Sequence, residues 1–308
     1  MNKLVLITGY TCNNNCIFCY DINKRHIKDK STKVLVKELI EGRKYGADYV
    51  DFIGGEPTIR KDIISLIKFA KKIGYKQVAI TTNGRRLSNE RFAEALIDSG
   101  INIIIFSIHG NNDKLHDMQT NVPGSFKQLL RGMENVKRLS TKLKKEVFIG
   151  TNTTITKVNQ EYLEEIGKFI INRGIRNSEF IFLDPTGGGF NRFEELTPNI
   201  REASFHIKKL LDLGIKNKIP HWHIRYFPFC YLEGYEEYIS EKRTPFEKEI
   251  HLGPEFKNFN VELSRKNIGR VKSKRCKDCI YNNFCEGIWR EYAKRRGLEE
   301  LKPIIKDK

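Results

Sequence analysis

Cys12, Cys16 and Cys19 follow the first hydrophobic run of the chain in a C-x3-C-x2-C spacing. One short loop thus offers three thiolates. A 4Fe–4S cluster normally takes four cysteines, so three leave one iron open to bind something else. An open iron is a place for chemistry. The competing reading of the same spacing is structural zinc, with His26 as a fourth ligand. Four more cysteines come late: Cys230, then Cys276, Cys279 and Cys285 in a C-x2-C-x5-C run. Four thiolates complete the shell of a second cluster, or of a zinc knuckle. Seven cysteines split as three plus four suit metal or redox chemistry in a reducing compartment better than disulfides.

The elements around these residues alternate between strand and helix. Strands are expected at Lys3 to Thr8, Asp48 to Ile53, Gln77 to Thr82, Asn102 to Ser107, Glu146 to Thr154 and Glu179 to Leu183. Helices are expected at Thr32 to Tyr45, Asp62 to Ile73, Asn89 to Asp98, Ser125 to Leu139, Glu161 to Asn172 and Pro198 to Leu213. Six βα units imply a parallel sheet with right-handed crossovers, curled into a barrel or part of one. In such folds the loops at the C-terminal strand ends build the active site. The cysteine triad, Gly54-Gly55-Glu56-Pro57, Asn83, Ser107, Asn152 and Asp184 all fall at such ends. Each alone also suits an ordinary βα turn.

After Leu213 the character changes. His221, His223 and Arg225 alternate, so in a strand they share one face. Glu233 to Glu249 is polar and reads as helix then loop, and Gly287 to Arg296 as a helical tail. The expected division is a barrel core over 1–215 and a cysteine-rich region over 216–308.

The chain has 308 residues, 39% of them hydrophobic, enough for a substantial core. No apolar stretch approaches the ~20 residues of a membrane helix, and the N-terminus reads as a strand, so the expected location is cytoplasmic. A net charge of +17 suits nucleic acid, an acidic membrane surface or a phosphorylated substrate. Its local runs, such as Lys24 to His26 and Lys272 to Lys277, also read as solvated faces.

The triad with Phe18 and Tyr20 around its last cysteine, followed by Gly54-Gly55-Glu56, resembles the radical S-adenosylmethionine (SAM) enzymes over roughly residues 3 to 215. The resemblance implies a partial (βα)6 barrel of TIM type. It implies a 4Fe–4S cluster on Cys12, Cys16 and Cys19, with SAM chelating the open iron. Carbonyls of the Gly54-Gly55-Glu56-Pro57 turn would accept hydrogen bonds from the SAM amino group. Glycine permits that close approach, and Glu56 alternatively pins the turn. Phe18 and Tyr20 would face the adenine, and Asn83, Ser107 and Asn152 or Thr154 the carboxylate or ribose. His109 stands where relatives often carry aspartate and reads as a neutral structural histidine. Reductive cleavage would give a 5′-deoxyadenosyl radical, which needs an electron donor of low potential such as ferredoxin or flavodoxin.

Cys230, Cys276, Cys279 and Cys285 resemble the auxiliary-cluster regions called SPASM and twitch. Trp289 stands where the larger pattern has a further cysteine, so one auxiliary 4Fe–4S cluster is expected. Cys230 is its fourth ligand or, alternatively, a thiol that donates hydrogen to a substrate radical. Asp184 and Gly187-Gly188-Gly189 are either substrate contacts or a linker. The leading expectation is an enzyme that oxidises or rearranges a peptide or small metabolite. The alternatives are a tRNA- or nucleotide-modifying enzyme, and a non-catalytic metal-binding or electron-transfer protein.

Overall fold

The structure, a computed structural model, describes residues 1–243 and 246–305. β1 (Asn2–Ile7) leads through the cysteine loop to α1 (Thr32–Lys44). Then come β2 (Ala47–Ile53), α2 (Ile63–Lys72), β3 (Gln77–Thr82), α3 (Glu90–Asp98) and β4 (Ile103–Ser107). Two helices, α4 (Asp113–Thr120) and α5 (Ser125–Lys142), precede β5 (Phe148–Ile155), α6 (Leu163–Asn172) and β6 (Asn177–Phe182). Two single turns, α7 (Gly188–Asn191) and α8 (Phe193–Leu196), lead to α9 (Ile200–Lys216). The remainder adds β7 (His221–Arg225), α10 (Ser240–Arg243), β8 (Lys248–Leu252), β9 (Lys257–Asn258), α11 (Val261–Ser264), β10 (Arg270–Val271), β11 (Ile288–Trp289) and α12 (Arg290–Arg296).

The main sheet has the order β7-β6-β5-β4-β3-β2-β1-β8-β9. Every neighbouring pair is parallel except β8 with β9. The six expected strands stand in chain order, as a partial barrel of six βα units requires. Strands from beyond residue 215 extend it at both edges, β7 beside β6 and β8 beside β1.

Alternation explains the two faces. Leu4, Leu6, Phe52, Ile80, Phe106, Phe180 and Trp222 point outward and share one apolar core with helix residues such as Leu39, Ile67, Leu96, Leu129, Ile166 and Leu210. That burial is the main driving force of the fold. The opposite face is polar. Lys3 and Asp51 pair at 3.5 Å, Arg225 and Glu179 at 3.2 Å, and His251 and Glu249 at 2.7 Å. Although Glu249 is buried, the His251 hydrogen bond and the charges of Lys3 and Arg225 hold its carboxyl well below the usual range. Arg225 and Glu249 belong to strands at opposite ends of eight parallel strands. Their mutual electrostatic reach means that the sheet curls until its edges approach.

Three sequence expectations are corrected. The stretch 233–249 is not a helix followed by loop: it holds two short turns and then β8, whose Ile250 and Leu252 are buried while Glu249 and His251 face the polar interior. Residues 244 and 245 of that stretch lie outside the described residues. An extra helix, α4, fills the expected loop after β4, capped by the Asn112 side chain, which accepts from Leu115 N–H at 2.9 Å. The expected tail helix over 287–296 starts with β11, which pairs with β10.

Trp222 shows how tightly the outer layer packs. Its ring meets Phe180 edge-on at 5.4 Å and fills space left by Gly167 and Gly214, where a Cβ would come within 2.9 and 2.7 Å of it. Trp222→Ala should therefore lower unfolding stability by about 3–5 kcal/mol, read by urea titration under circular dichroism. A loss below about 1 kcal/mol would contradict this packing.

Candidate functional site

Two βα turns are stitched together around the cysteine triad. Gly55 N–H donates to the Gly9 carbonyl at 2.8 Å, and Glu56 N–H to the Thr11 carbonyl at 2.9 Å. Glycine is obligatory here. Gly54 has φ +125°, and a Cβ on Gly55 would lie 2.1 Å from the Thr11 oxygen. Pro57 opens a short turn for which Glu56 is the cap.

The Glu56 carboxylate pins the turn, one of the two roles expected for this residue. Its Oε1 accepts from Thr58 N–H at 3.0 Å, Thr58 Oγ1 at 2.6 Å and Thr82 Oγ1 at 2.7 Å. Its Oε2 accepts from Asn83 N–H at 2.7 Å. Burial raises its pKa, and these donors oppose the rise. The carboxylate thereby fixes the end of β3. Asn83 then reaches the cysteine loop, donating to Asn13 Oδ1 at 2.7 Å with its Nδ2 4.0 Å from Cys12 Sγ.

The loop itself is held by cations. Arg25 donates to the Asn14 carbonyl at 2.8 Å, and Arg85 to Asn14 Oδ1 at 2.9 Å and to the Asn13 carbonyl. Burial pushes the Cys12 thiol up to about 11 and raises Cys16 and Cys19, while Arg25 pulls all three down. Asn14 N–H donates to Cys12 Sγ at 3.3 Å. Thiols beside a cation and a backbone donor suit an anionic iron–sulfur ligand set.

Phe18 is buried with Leu183 and Leu196 and meets the His109 ring edge-on at 4.6 Å. Tyr20 is 51% exposed, with Lys24 over its ring at 4.9 Å. His109 is buried and neutral: its Nδ1 accepts from Thr154 N–H at 3.3 Å, and burial holds its pKa well below the usual value. Ser107 and Asn152 are half-buried partners in register across β4 and β5. The Gly187-Gly188 turn is not a free linker. Gly188 N–H donates to the Cys19 carbonyl at 2.9 Å, and a Cβ on Gly187 would lie 2.3 Å from the Tyr20 oxygen.

The structure brings the late cysteines together. Cys230, Cys276, Cys279 and Cys285 line one small cavity of about 20 Å³ with Phe229, Tyr281 and Leu301. Gly287 N–H donates to Cys285 Sγ at 3.3 Å, and Ser273 Oγ lies 3.3 Å from Cys276 Sγ. Burial pushes Cys230 up to about 11. Four thiols converging on one cavity, with donors aimed at their sulfurs, fit a cluster as they stand. Among the described residues no three His, Cys, Asp or Glu side chains gather as the shell of one metal ion does. A cubane asks for a different arrangement, because each thiolate binds a separate iron.

Between the two sets lies a charged cluster that spacing did not reveal. Tyr226 follows β7 with φ +65°, a conformation costing a bulky residue about 1–3 kcal/mol. Its N–H donates to Glu241 Oε1 at 2.7 Å, and its carbonyl accepts from Arg270 at 3.2 Å. The guanidinium groups of Arg225, Arg265 and Arg270 lie 5.5, 5.6 and 5.7 Å from its ring centre. Arg265 is bound bidentately by Glu286 at 2.6 and 2.7 Å. Asp184 is within electrostatic reach of Tyr20 on one side and Arg270 on the other. Arg25 and Arg85 were missed because nothing in their spacing marks them; only the fold brings them to the cysteine loop.

A parallel, partly closed βα barrel with a thiol triad at its first strand end and a Gly-Gly-Glu turn at its second is the frame of a SAM-binding iron–sulfur protein. The family model described as the radical SAM superfamily matches residues 6–170, more than half the chain. The chain belongs to that superfamily, and a 4Fe–4S cluster and SAM are its cofactors. Among similar sequences, a probable GTP 3′,8-cyclase of Sulfurisphaera tokodaii is 31% identical over 228 residues, covering 71% of this chain and 67% of that protein. Another probable GTP 3′,8-cyclase, from Saccharolobus solfataricus, is 29% identical over 231 residues, covering 73% and 70%. Among solved structures, Streptococcus suis SuiB bound to the precursor peptide SuiA matches with TM-score 0.68 at 18% identity, covering 98% of this chain and 74% of that one. The anSMEcpe structure with bound AdoMet matches with TM-score 0.67 at 17% identity, covering 99% and 93%. These likenesses establish the fold.

Two outcomes test this geometry. Glu56→Gln turns an acceptor into an N–H2 group facing donors, so apo-protein stability should fall by about 1–3 kcal/mol and SAM affinity should fall with it. Equal stability and affinity would remove Glu56 from its pinning role. For Asp184, burial pushes the pKa up to about 6. A carboxyl whose pKa is raised on folding costs stability as pH climbs from its unfolded to its folded value. The advantage of Asp184→Asn over the parent should therefore grow between about pH 4 and 6, by on the order of 3 kcal/mol, and then stay level. Thermal unfolding across that range checks the sign.

Proposed function

We propose that this radical SAM enzyme carries one auxiliary 4Fe–4S cluster on Cys230, Cys276, Cys279 and Cys285 and acts on a phosphorylated nucleotide. Cys12, Cys16 and Cys19 hold the first cluster. Gly54 to Pro57, Asn83, Ser107 and Asn152 surround the SAM site, with Phe18 and Tyr20 forming its aromatic flank. When bound and reduced, the cluster supplies the electron that splits SAM into methionine and a 5′-deoxyadenosyl radical.

The observation that carries the substrate class is Arg225. It projects from β7 into the polar interior with 26% of its side chain accessible. Its ion pair with Glu179 runs through Nε at 3.2 Å, and among the described residues its terminal nitrogens donate no hydrogen bond. Glu179, Glu249 and Glu241 all act on its charge, but the planar fork itself keeps donors for a phosphate or carboxylate. The likeness to probable GTP 3′,8-cyclases supports a nucleotide over the peptide first expected. A peptide remains the second reading, favoured by paired charges of both signs on the wall, which would also receive a zwitterion. A cytoplasmic setting suits seven free thiols, and no helix among the described residues is long and apolar enough to cross a membrane.

The test uses anaerobically reconstituted protein with SAM, a strong reductant and GTP deuterated at ribose C3′. GTP-dependent formation of 5′-deoxyadenosine carrying deuterium is expected. Cys16→Ala should abolish SAM cleavage, whereas Cys279→Ala should retain uncoupled cleavage without product. Failure of GTP and the other nucleoside triphosphates to stimulate cleavage would overturn the nucleotide reading. Absence of SAM cleavage by the fully loaded parent would leave an electron-transfer protein.

A further inference from the structure

The basic run Lys272 to Lys277 has a place in the fold that the reaction does not use. Lys274, Arg275 and Lys277 are exposed on the turn around Cys276, and Lys302 is exposed between Leu301 and Pro303, which line the quartet's cavity. None of these four cations forms an ion pair or side-chain hydrogen bond among the described residues. Lys272, by contrast, is spent on the Asn282 carbonyl at 2.6 Å.

Between the cations the surface is apolar. Ile280 is 39% exposed, Phe284 52% and Ile305 60%. Ile280 N–H donates to the Ile304 carbonyl at 2.9 Å, which brings the last described residues beside the cysteine run. The nearby acids are Asp278, Glu233 and Glu236, the last already accepting from the Tyr281 hydroxyl, so four unpaired cations face three acids and the patch keeps a positive balance. Ile280 and Phe284 are immediate sequence neighbours of Cys279 and Cys285.

We propose that this face docks an acidic one-electron carrier protein over the auxiliary cysteines. An apolar centre with a charged rim is the anatomy of a protein interface. Unpaired cations at the rim steer an acidic partner and speed its encounter. Their position beside four clustered thiols sets the kind of partner: a carrier docked here brings its redox group next to the cluster those thiols would hold. One electron leaves the reduced carrier, which is oxidised, and enters the cluster. RNA is the rival occupant of a basic face, but three exposed aliphatic or aromatic side chains interleaved with the charges favour protein.

The inference rests on the quartet holding a cluster, and the iron and sulfide content of the parent reports on that separately. The probe is flavodoxin, bound to reconstituted full-length enzyme at low and high salt. Lys274→Glu combined with Lys277→Glu, and separately Lys302→Glu with Phe284→Ser, should each weaken binding by about tenfold and flatten its salt dependence. They should slow reduction by flavodoxin hydroquinone equally, while reduction by dithionite, iron content and thermal stability stay at parental values. Parental flavodoxin affinity in both variants would overturn the proposal. So would equal slowing with dithionite, or an RNA oligonucleotide that outcompetes flavodoxin on the parent and loses its hold in the same variants.

Discussion

The site depends on one buried carboxylate. Glu56 accepts four hydrogen bonds from Thr58, Thr82 and Asn83, and so binds the ends of β2 and β3 together. The same turn donates two backbone N–H groups to the cysteine loop. An acid taken out of water is tolerated only when donors replace the water it lost. Here the replacement donors are themselves the elements that must be positioned. Charge, turn and ligand loop are thereby one unit, and the Gly54-Gly55 pair lets their backbones come close enough to join.

Much of this was legible in the chain. The six strand–helix units were readable because Leu4, Leu6, Phe52 and Phe106 alternate on strands while Leu35, Leu39 and Leu66, Ile67 recur at helical spacing. The triad and the Gly-Gly-Glu turn were readable because their chemistry fixes their spacing. β8 was not readable. Its inward residues, Glu249 and His251, are polar because they face charges inside the barrel, so the strand looks like a solvated segment. α4 was hidden for a related reason: its polar Asn112 start and the Asn121 after it read as loop, yet they cap a helix. Arg25 looked like part of a surface run, whereas it grips Asn14 at the heart of the site.

The interior charges solve a problem posed by an incomplete barrel. A sheet that does not close leaves two edges and a polar cavity open along one side. β7 forms one edge and β8, flanked by the two-residue β9, lies next to the other, and Arg225 and Glu249 carry opposite charge across the gap. The arrangement keeps the cavity polar enough for a charged substrate while drawing its walls together. Tyr226, held in a costly conformation by Glu241 and Arg270, marks where the strand leaves this wall and turns toward the second set of cysteines.

The contacts of Cys19 tie the ligand loop to distant parts of the chain. Its carbonyl is bound by Gly188, in a segment clamped from the far end of the chain, where Arg295 lies 4.5 and 4.8 Å from the rings of Phe190 and Phe193. Its other flank is tied through Tyr10, whose hydroxyl donates to Glu255 at 2.5 Å. The ligand loop is therefore local in sequence but not in structure: its shape is as firm as the tertiary contacts that hold it from residues far along the chain.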